Sequence, residues 1–322
     1  MPGVVDLHAH AVLDGAFGSA GAYGPVHGRD ADGVEFFGVG DYTMKPIRYR
    51  DSVFMDVDRR LLEMDRLGID VQMLSPNPLT FFGGIESGPA IEFAQATNDA
   101  MAALVARHPS RLLGAAQLPM QDPDSAIAEL DRAIGDLGLV AGYIGSNYDG
   151  ITLDDRRLDG FYRRLVERNV PLFIHGVTND GRGPVADPRL RRFGLDLIVG
   201  YTYEETLATA ALVLGGVLDR HPELDVCISH GGGAIAFLAQ RFDSMASFRG
   251  KSSAFAESLR RLWFDSHLEP GPARDLVVQT VGADRMVYGT NFGGWDTPTS
   301  IDDFDVSLTP NARRLLRLEV TG

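Results

Sequence analysis

Near the start of the chain, the run Asp6-Leu7-His8-Ala9-His10 sets two histidines two residues apart at the end of an apolar stretch. Alternate residues of a strand share a face, so both imidazoles can point to one side and offer two nitrogen ligands to one metal ion. Taken alone, the pair equally fits two polar residues at a strand end. Two more histidines close apolar runs of their own: His175 follows Pro171-Leu172-Phe173-Ile174, and His230 follows Val226-Cys227-Ile228-Ser229. Four histidines at strand ends predict a shared metal site. His108 and His221 each precede a proline at a helix end and read as residues favoured by the helix dipole, not as ligands. His27 has no strand context.

The elements that must position these side chains follow from periodicity. Short β-rich apolar runs at 4–10, 71–75, 112–118, 140–144, 172–175, 224–229, 262–265 and 286–289 alternate with helical patterns at 58–67, 89–107, 122–137, 157–168, 204–218, 234–245, 272–281 and 311–318. Strand followed by helix, eight times over, predicts a parallel sheet closed as a (β/α)8 barrel, one domain over residues 1–322. Such barrels carry their reacting groups at the C-terminal ends of the strands, where these four histidines fall. Two stretches break the rhythm. Residues 11–57, rich in glycine, read as a lid inserted after the first strand, and residues 177–203 as a second wall of a pocket. Tyr23, Phe36, Phe37, Phe81, Phe82 and Trp295 are expected in loops, where they either line that pocket or pack the core.

Bulk composition narrows the function classes. The net charge of −14 argues against nucleic acid as a partner, since phosphate binding needs a basic face. No apolar run approaches the roughly 18 residues of a membrane span. The single cysteine, Cys227, excludes an internal disulfide and, with no basic-then-apolar leader after Met1-Pro2-Gly3, predicts a cytoplasmic protein.

The motif series resembles the amidohydrolase-related family of 2-amino-3-carboxymuconate-6-semialdehyde decarboxylase over nearly the whole chain. It comprises His8-Ala9-His10, the run Met64-Asp65-Arg66-Leu67-Gly68-Ile69-Asp70-Val71-Gln72, Leu118-Pro119-Met120-Gln121, Leu172-Phe173-Ile174-His175, His230-Gly231-Gly232-Gly233-Ala234, Tyr288-Gly289-Thr290-Asn291 and Pro310-Asn311-Ala312-Arg313. The resemblance implies a divalent metal, zinc or manganese, on His8, His10 and His175, with His230 as the acid/base residue beside the metal and its water. It implies that Arg241 reaches a neighbouring subunit's substrate carboxylate in a homodimer. Arg50, or Arg48, would be the arginine supplied within the subunit.

One position departs from the family pattern: the eighth strand ends in Asn291 where the family has a metal-binding aspartate. An amide is neutral and cannot act as a base. Asp296 could substitute, and Glu204, Glu205, Asp265 and His267 could complete a one-ion or two-ion site. The expected function is therefore a metal-dependent lyase or hydrolase acting on a small carboxylate-bearing substrate through His230. The alternatives are a non-heme iron, even diiron, oxygenase or hydroxylase on the same barrel, and a descendant that only binds a ligand.

Overall fold

The run of apolar residues that opens the chain folds as β1 (Val4–Ala11), buried along its whole length, as expected of a parallel strand covered on both faces. This is a computed structural model that describes residues 3–183, 185–249 and 254–318; Met1 and Pro2 lie outside them.

After β1 come three short strands, β2 (Val26–Arg29), β3 (Glu35–Val39) and β4 (Tyr42–Met44), which pair antiparallel as a separate sheet. The expected loop at 11–57 is thus a small folded wall. Phe37, Val39 and Tyr49 pack with Val12 and Ala16 against Leu79, Phe82 and Phe93, giving the segment a core of its own.

The β/α repeat then runs through α1 (Val57–Leu67), β5 (Ile69–Pro76), α2 (Ser87–Val105), β6 (Leu112–Gln117), α3 (Pro123–Gly135), β7 (Ala141–Gly145), α4 (Asp159–Arg168) and β8 (Leu172–His175). The Asp56 side chain caps α1 by accepting from the Arg59 amide, and Asp122 caps α3. The single helix expected at 204–218 is two, α5 (Tyr201–Leu214) and α6 (Val217–Arg220), because Gly216 turns left-handed between them. The chain continues through β9 (Val226–Ile228), α7 (Ile235–Phe248), α8 (Phe255–Ser258), β10 (Trp263–Asp265), α9 (Pro272–Val281) and β11 (Met286–Val287), and ends in α10 (Asp303–Ser307) and α11 (Thr309–Leu315).

Eight parallel strands lie in the order β1-β5-β6-β7-β8-β9-β10-β11. The barrel is joined where the last strand meets the first: the Leu7 amide donates to the Tyr288 carbonyl at 2.9 Å and the Phe292 amide to the His8 carbonyl at 3.2 Å. Asp6 holds the same seam. It is fully buried and accepts from the Thr290 hydroxyl at 2.7 Å, Gln72 Nε2 at 2.8 Å and the His8 amide at 3.0 Å. This seam therefore fixes the strand that carries His8 and His10 from both sides.

Candidate metal centre

β1 ends with His8 and His10, β8 with His175, and the turn after β9 starts at His230. The first three are 1–2% exposed, and each spends one ring nitrogen on an internal acceptor. His8 Nδ1 meets Asp265 Oδ2 at 2.7 Å, His10 Nδ1 the Pro76 carbonyl at 2.9 Å, and His175 Nδ1 the Gly176 carbonyl at 2.8 Å. Those acceptors fix the proton on Nδ1 and leave three Nε2 lone pairs. His8 Nε2 and His10 Nε2 stand 3.1 Å apart, and buried His175 Nε2 has no partner. Neutral imidazoles so arranged have no proton to share between them; a cation satisfies all three. Burial, reinforced by the charge on His230, keeps His8 and His175 well below the usual histidine range and lowers His10 to about 3, so all three stay neutral and fit to bind a metal.

Ring nitrogens of His8, His175 and His230 all lie within 4.8 Å of one another, the one grouping of its kind among the described residues. The carboxylates considered for a second ion have other occupations. Asp265, at the end of β10, accepts from His8 and from the amides of Gly231 and His267. Glu205, fully buried near the start of α5, bonds His230 Nδ1 at 2.7 Å and the Gly176 amide at 3.0 Å. Glu204 beside it accepts from Ser146. Burial opposes a charge on His230, but Glu205, with Asp265 and Asp296 further off, outweighs it and lifts the ring to about 9. Glu205 is itself pushed up by its burial.

The three glycines after His230 all adopt positive φ. At Gly233 a Cβ would lie 2.0 Å from the Thr202 carbonyl, so only glycine lets the chain pass α5 and deliver His230 to Glu205. Gly289 does the same for β11, since a Cβ there would fall 2.8 Å from that of His8.

Asn291 turns the chain sharply after β11, with φ 48°, and its amide donates to Asp296 Oδ1 at 2.8 Å. Asp296 thus reaches the rim beside the position it was expected to replace. Its backbone carbonyl accepts from His267 Nε2 at 3.3 Å.

A cavity of about 1110 Å³ opens above the histidines. His10, His175 and His230 line its floor, with Tyr49, Phe54, Leu197, Tyr201, Leu268 and Trp295 among its walls. Of the six aromatic residues singled out in the sequence, only Trp295 lines this space. Phe37, Phe81 and Phe82 are core residues, Tyr23 bonds Glu86, and Phe36 lies in β3 without facing the cavity. Tyr49, Phe54 and Tyr201 take the expected role, and their positions depend on packing that periodicity does not reveal. Arg48 and Arg50 are exposed and do not line the cavity; Arg50 Nη2 meets His27 Nδ1 at 3.2 Å. Arg241 is exposed on the outer face of α7, away from its own chain's cavity.

A family model described as amidohydrolase matches residues 5–317. The chain is 33% identical over 254 residues to 2-amino-3-carboxymuconate-6-semialdehyde decarboxylase of Dictyostelium discoideum, covering 77% of this chain and 69% of the relative. It is 28% identical over 310 residues to gamma-resorcylate decarboxylase of a Rhizobium species, covering 87% and 92%. Two solved structures share the fold. One is the dihydroxybenzoic acid decarboxylase of Polaromonas with manganese and the inhibitor 2-nitroresorcinol (TM-score 0.76, 23% identity, 99% and 98% covered). The other is the 5-carboxyvanillate decarboxylase of Novosphingobium aromaticivorans with manganese and 4-hydroxy-3-methoxy-5-nitrobenzoic acid (TM-score 0.72, 24% identity, 85% of each covered).

Proposed function

The chain belongs to the amidohydrolase family, and from that premise we propose that it is a metal-dependent decarboxylase of a small carboxylated organic acid. The observation that carries this reading is the set of three buried imidazoles with their Nδ1 protons already committed, beneath a cavity of substrate size. His8, His10 and His175 would hold one divalent cation, with manganese the first ion to test and zinc the second. Such an ion, when bound, stabilises negative charge developing on the substrate.

Decarboxylation breaks the bond between carbon and carboxylate, releases carbon dioxide and leaves the electron pair on carbon, which then takes a proton. His230 is the proton carrier in this reading. Glu205 holds its Nδ1, so Nε2 is the end left for substrate, and the carboxylate keeps the ring charged at neutral pH. Tyr201 lies nearly parallel to the ring, with the two centroids 6.4 Å apart, in the cavity wall.

The relatives give no support to the oxygen-activating alternative, and an intact donor set argues against a descendant that only binds. Arg241 shares the outer face of α7 with Phe237, Met245 and Phe248, spaced four, four and three residues apart and exposed at 77%, 47% and 86% for the apolar three. That apolar face supports a homodimer in which Arg241 meets the partner's substrate; light scattering of the purified protein tests it. Among the described residues no helix is long and apolar enough to cross a membrane.

The deciding experiment loads purified protein with manganese and follows carbon dioxide release under nitrogen from 2,6-dihydroxybenzoate, 5-carboxyvanillate and 2-amino-3-carboxymuconate semialdehyde. Release from one of them that stops with His230→Gln supports the proposal. A manganese-loaded protein inert toward all three contradicts it.

A further inference from the structure

The guanidinium of Arg60, on α1, lies inside the molecule, the residue being 2% exposed, and spends its hydrogen bonds around the strand that carries two of the metal ligands. Nη2 donates to the His10 carbonyl at 2.5 Å, Nη1 to Gln72 Oε1 at 2.5 Å and Nε to the Val53 carbonyl at 2.9 Å. Gln72 passes the contact on: its Nε2 donates to Asp6 Oδ2 at 2.8 Å, so Arg60 reaches a counter-charge through an amide. Asp6 in turn accepts from the His8 amide at 3.0 Å. One guanidinium therefore grips β1 directly at His10 and, through Gln72 and Asp6, at His8.

The barrel seam explains why β1 needs this donor. The His8 carbonyl accepts from the Phe292 amide at 3.2 Å. Alternate carbonyls of a strand point the same way, so the His10 carbonyl faces the same side. There β11 is only two residues long, and the chain turns away through Asn291, with φ 48°, and Gly293, with φ 87°. Arg60 Nη2 supplies the donor that a longer strand would have given, and its guanidinium carbon sits 5.1 Å from the centre of the Phe292 ring, over the same seam. The His10 ring is already held at Nδ1 by the Pro76 carbonyl, which leaves its backbone as the freedom that Arg60 removes. Packing alone does not call for an arginine, since a methionine fills a similar space without burying a charge.

We infer that Arg60 is a positioning residue of the metal centre: its guanidinium, with Gln72 and Asp6 behind it, fixes the end of β1 so that His8 Nε2 and His10 Nε2 meet one cation. The contact with Val53 extends the clamp to the segment that places Phe54 in the cavity wall. The inference rests on His8, His10 and His175 as the ligands and adds to them a residue that touches neither metal nor substrate.

The test titrates manganese calorimetrically into metal-free full-length protein and records the electron paramagnetic resonance spectrum of the loaded form, which reports the symmetry around the ion. Wild type is compared with Arg60→Met and Arg60→Lys, and with Leu130→Ala, which opens a cavity beneath α3, an element that carries no ligand, and so lowers stability without touching β1. A thermal melt of each variant checks folding. Arg60→Met should bind manganese about tenfold or more weakly, with an altered spectrum. Arg60→Lys, whose single ammonium cannot span the His10 and Val53 carbonyls and Gln72 together, should lose about fivefold or more, and it decides the matter if the methionine variant does not fold. Leu130→Ala should stay within about twofold of wild type and keep its spectrum. Folded Arg60 variants that retain the wild-type affinity or spectrum, or an equal loss in Leu130→Ala, overturn the role of Arg60 and leave the metal centre standing. A wild type that takes up no manganese overturns both.

Discussion

Asp265→Asn probes how this barrel prepares its metal ligands. The wild-type carboxylate makes three contacts: Oδ2 with His8 Nδ1 at 2.7 Å, and Oδ1 with the amides of Gly231 at 3.1 Å and His267 at 3.2 Å. An asparagine can keep both amide contacts through its one oxygen, so the local backbone stays satisfied. Its NH2 group then faces His8 Nδ1, and two donors cannot share that contact. His8 answers by moving its proton to Nε2, the nitrogen that stands 3.1 Å from His10 Nε2 and is needed for the metal. Replacing such an outer-shell partner typically lowers metal affinity about 10- to 100-fold, or about 1.4–2.8 kcal/mol. Calorimetric titration of metal-free protein with manganese at neutral pH measures the change. Affinity equal to wild type in a folded variant would refute the claim that Asp265 sets the His8 tautomer.

The same geometry fixes further outcomes. Because Glu205 raises His230 to about 9 in metal-free protein, a histidine NMR titration of that form should find the ring protonated through neutral pH and losing its proton near about 9. Glu205→Gln should move that proton loss toward the ordinary histidine range near about 6.5, and a titration left unchanged would be inconsistent with their pairing. Asn291→Asp sets a second carboxylate against Asp296 across a 2.8 Å contact. One of the two then has a raised folded pKa, so metal-free protein should lose thermal stability as pH rises past the carboxylate range, and manganese should restore it. Manganese at about 100 times its dissociation constant should stabilise the wild type by about 2.7 kcal/mol, reversed by a chelator, as read from thermal melts. Gly233→Ala drives a Cβ into the Thr202 carbonyl and should cost at least about 1–3 kcal/mol in a denaturant melt, together with loss of activity.

The barrel was legible because each strand is a short apolar run bounded by turns, and the four rim histidines because each closes such a run. The contents of 11–57 were not. β2, β3 and β4 are three to five residues long, the first two interrupted by Gly28 and Gly38, and held by Phe37 and Tyr49 packing on Leu79 and Phe93, contacts that no local period encodes. Glu204 and Glu205 were both visible as carboxylates near the rim, but which one meets His230 depends on the rotation of α5: Glu205 faces inward and Glu204 lies about 100° round the helix. The pairing of Asn291 with Asp296 depends on a turn closed by the Asn291 carbonyl accepting from the Gly294 amide and the Thr297 hydroxyl. Only the proximity of Asp296 in sequence hinted at it.

Bound manganese per chain, counted by elemental analysis after loading and desalting, examines the metal centre without reference to any substrate. Wild type should carry about one equivalent, and the His8→Ala/His10→Ala double variant and His175→Ala should each carry less than about a tenth of it while remaining folded. Wild type without stoichiometric metal, or variants that keep theirs, would contradict the centre proposed for His8, His10 and His175.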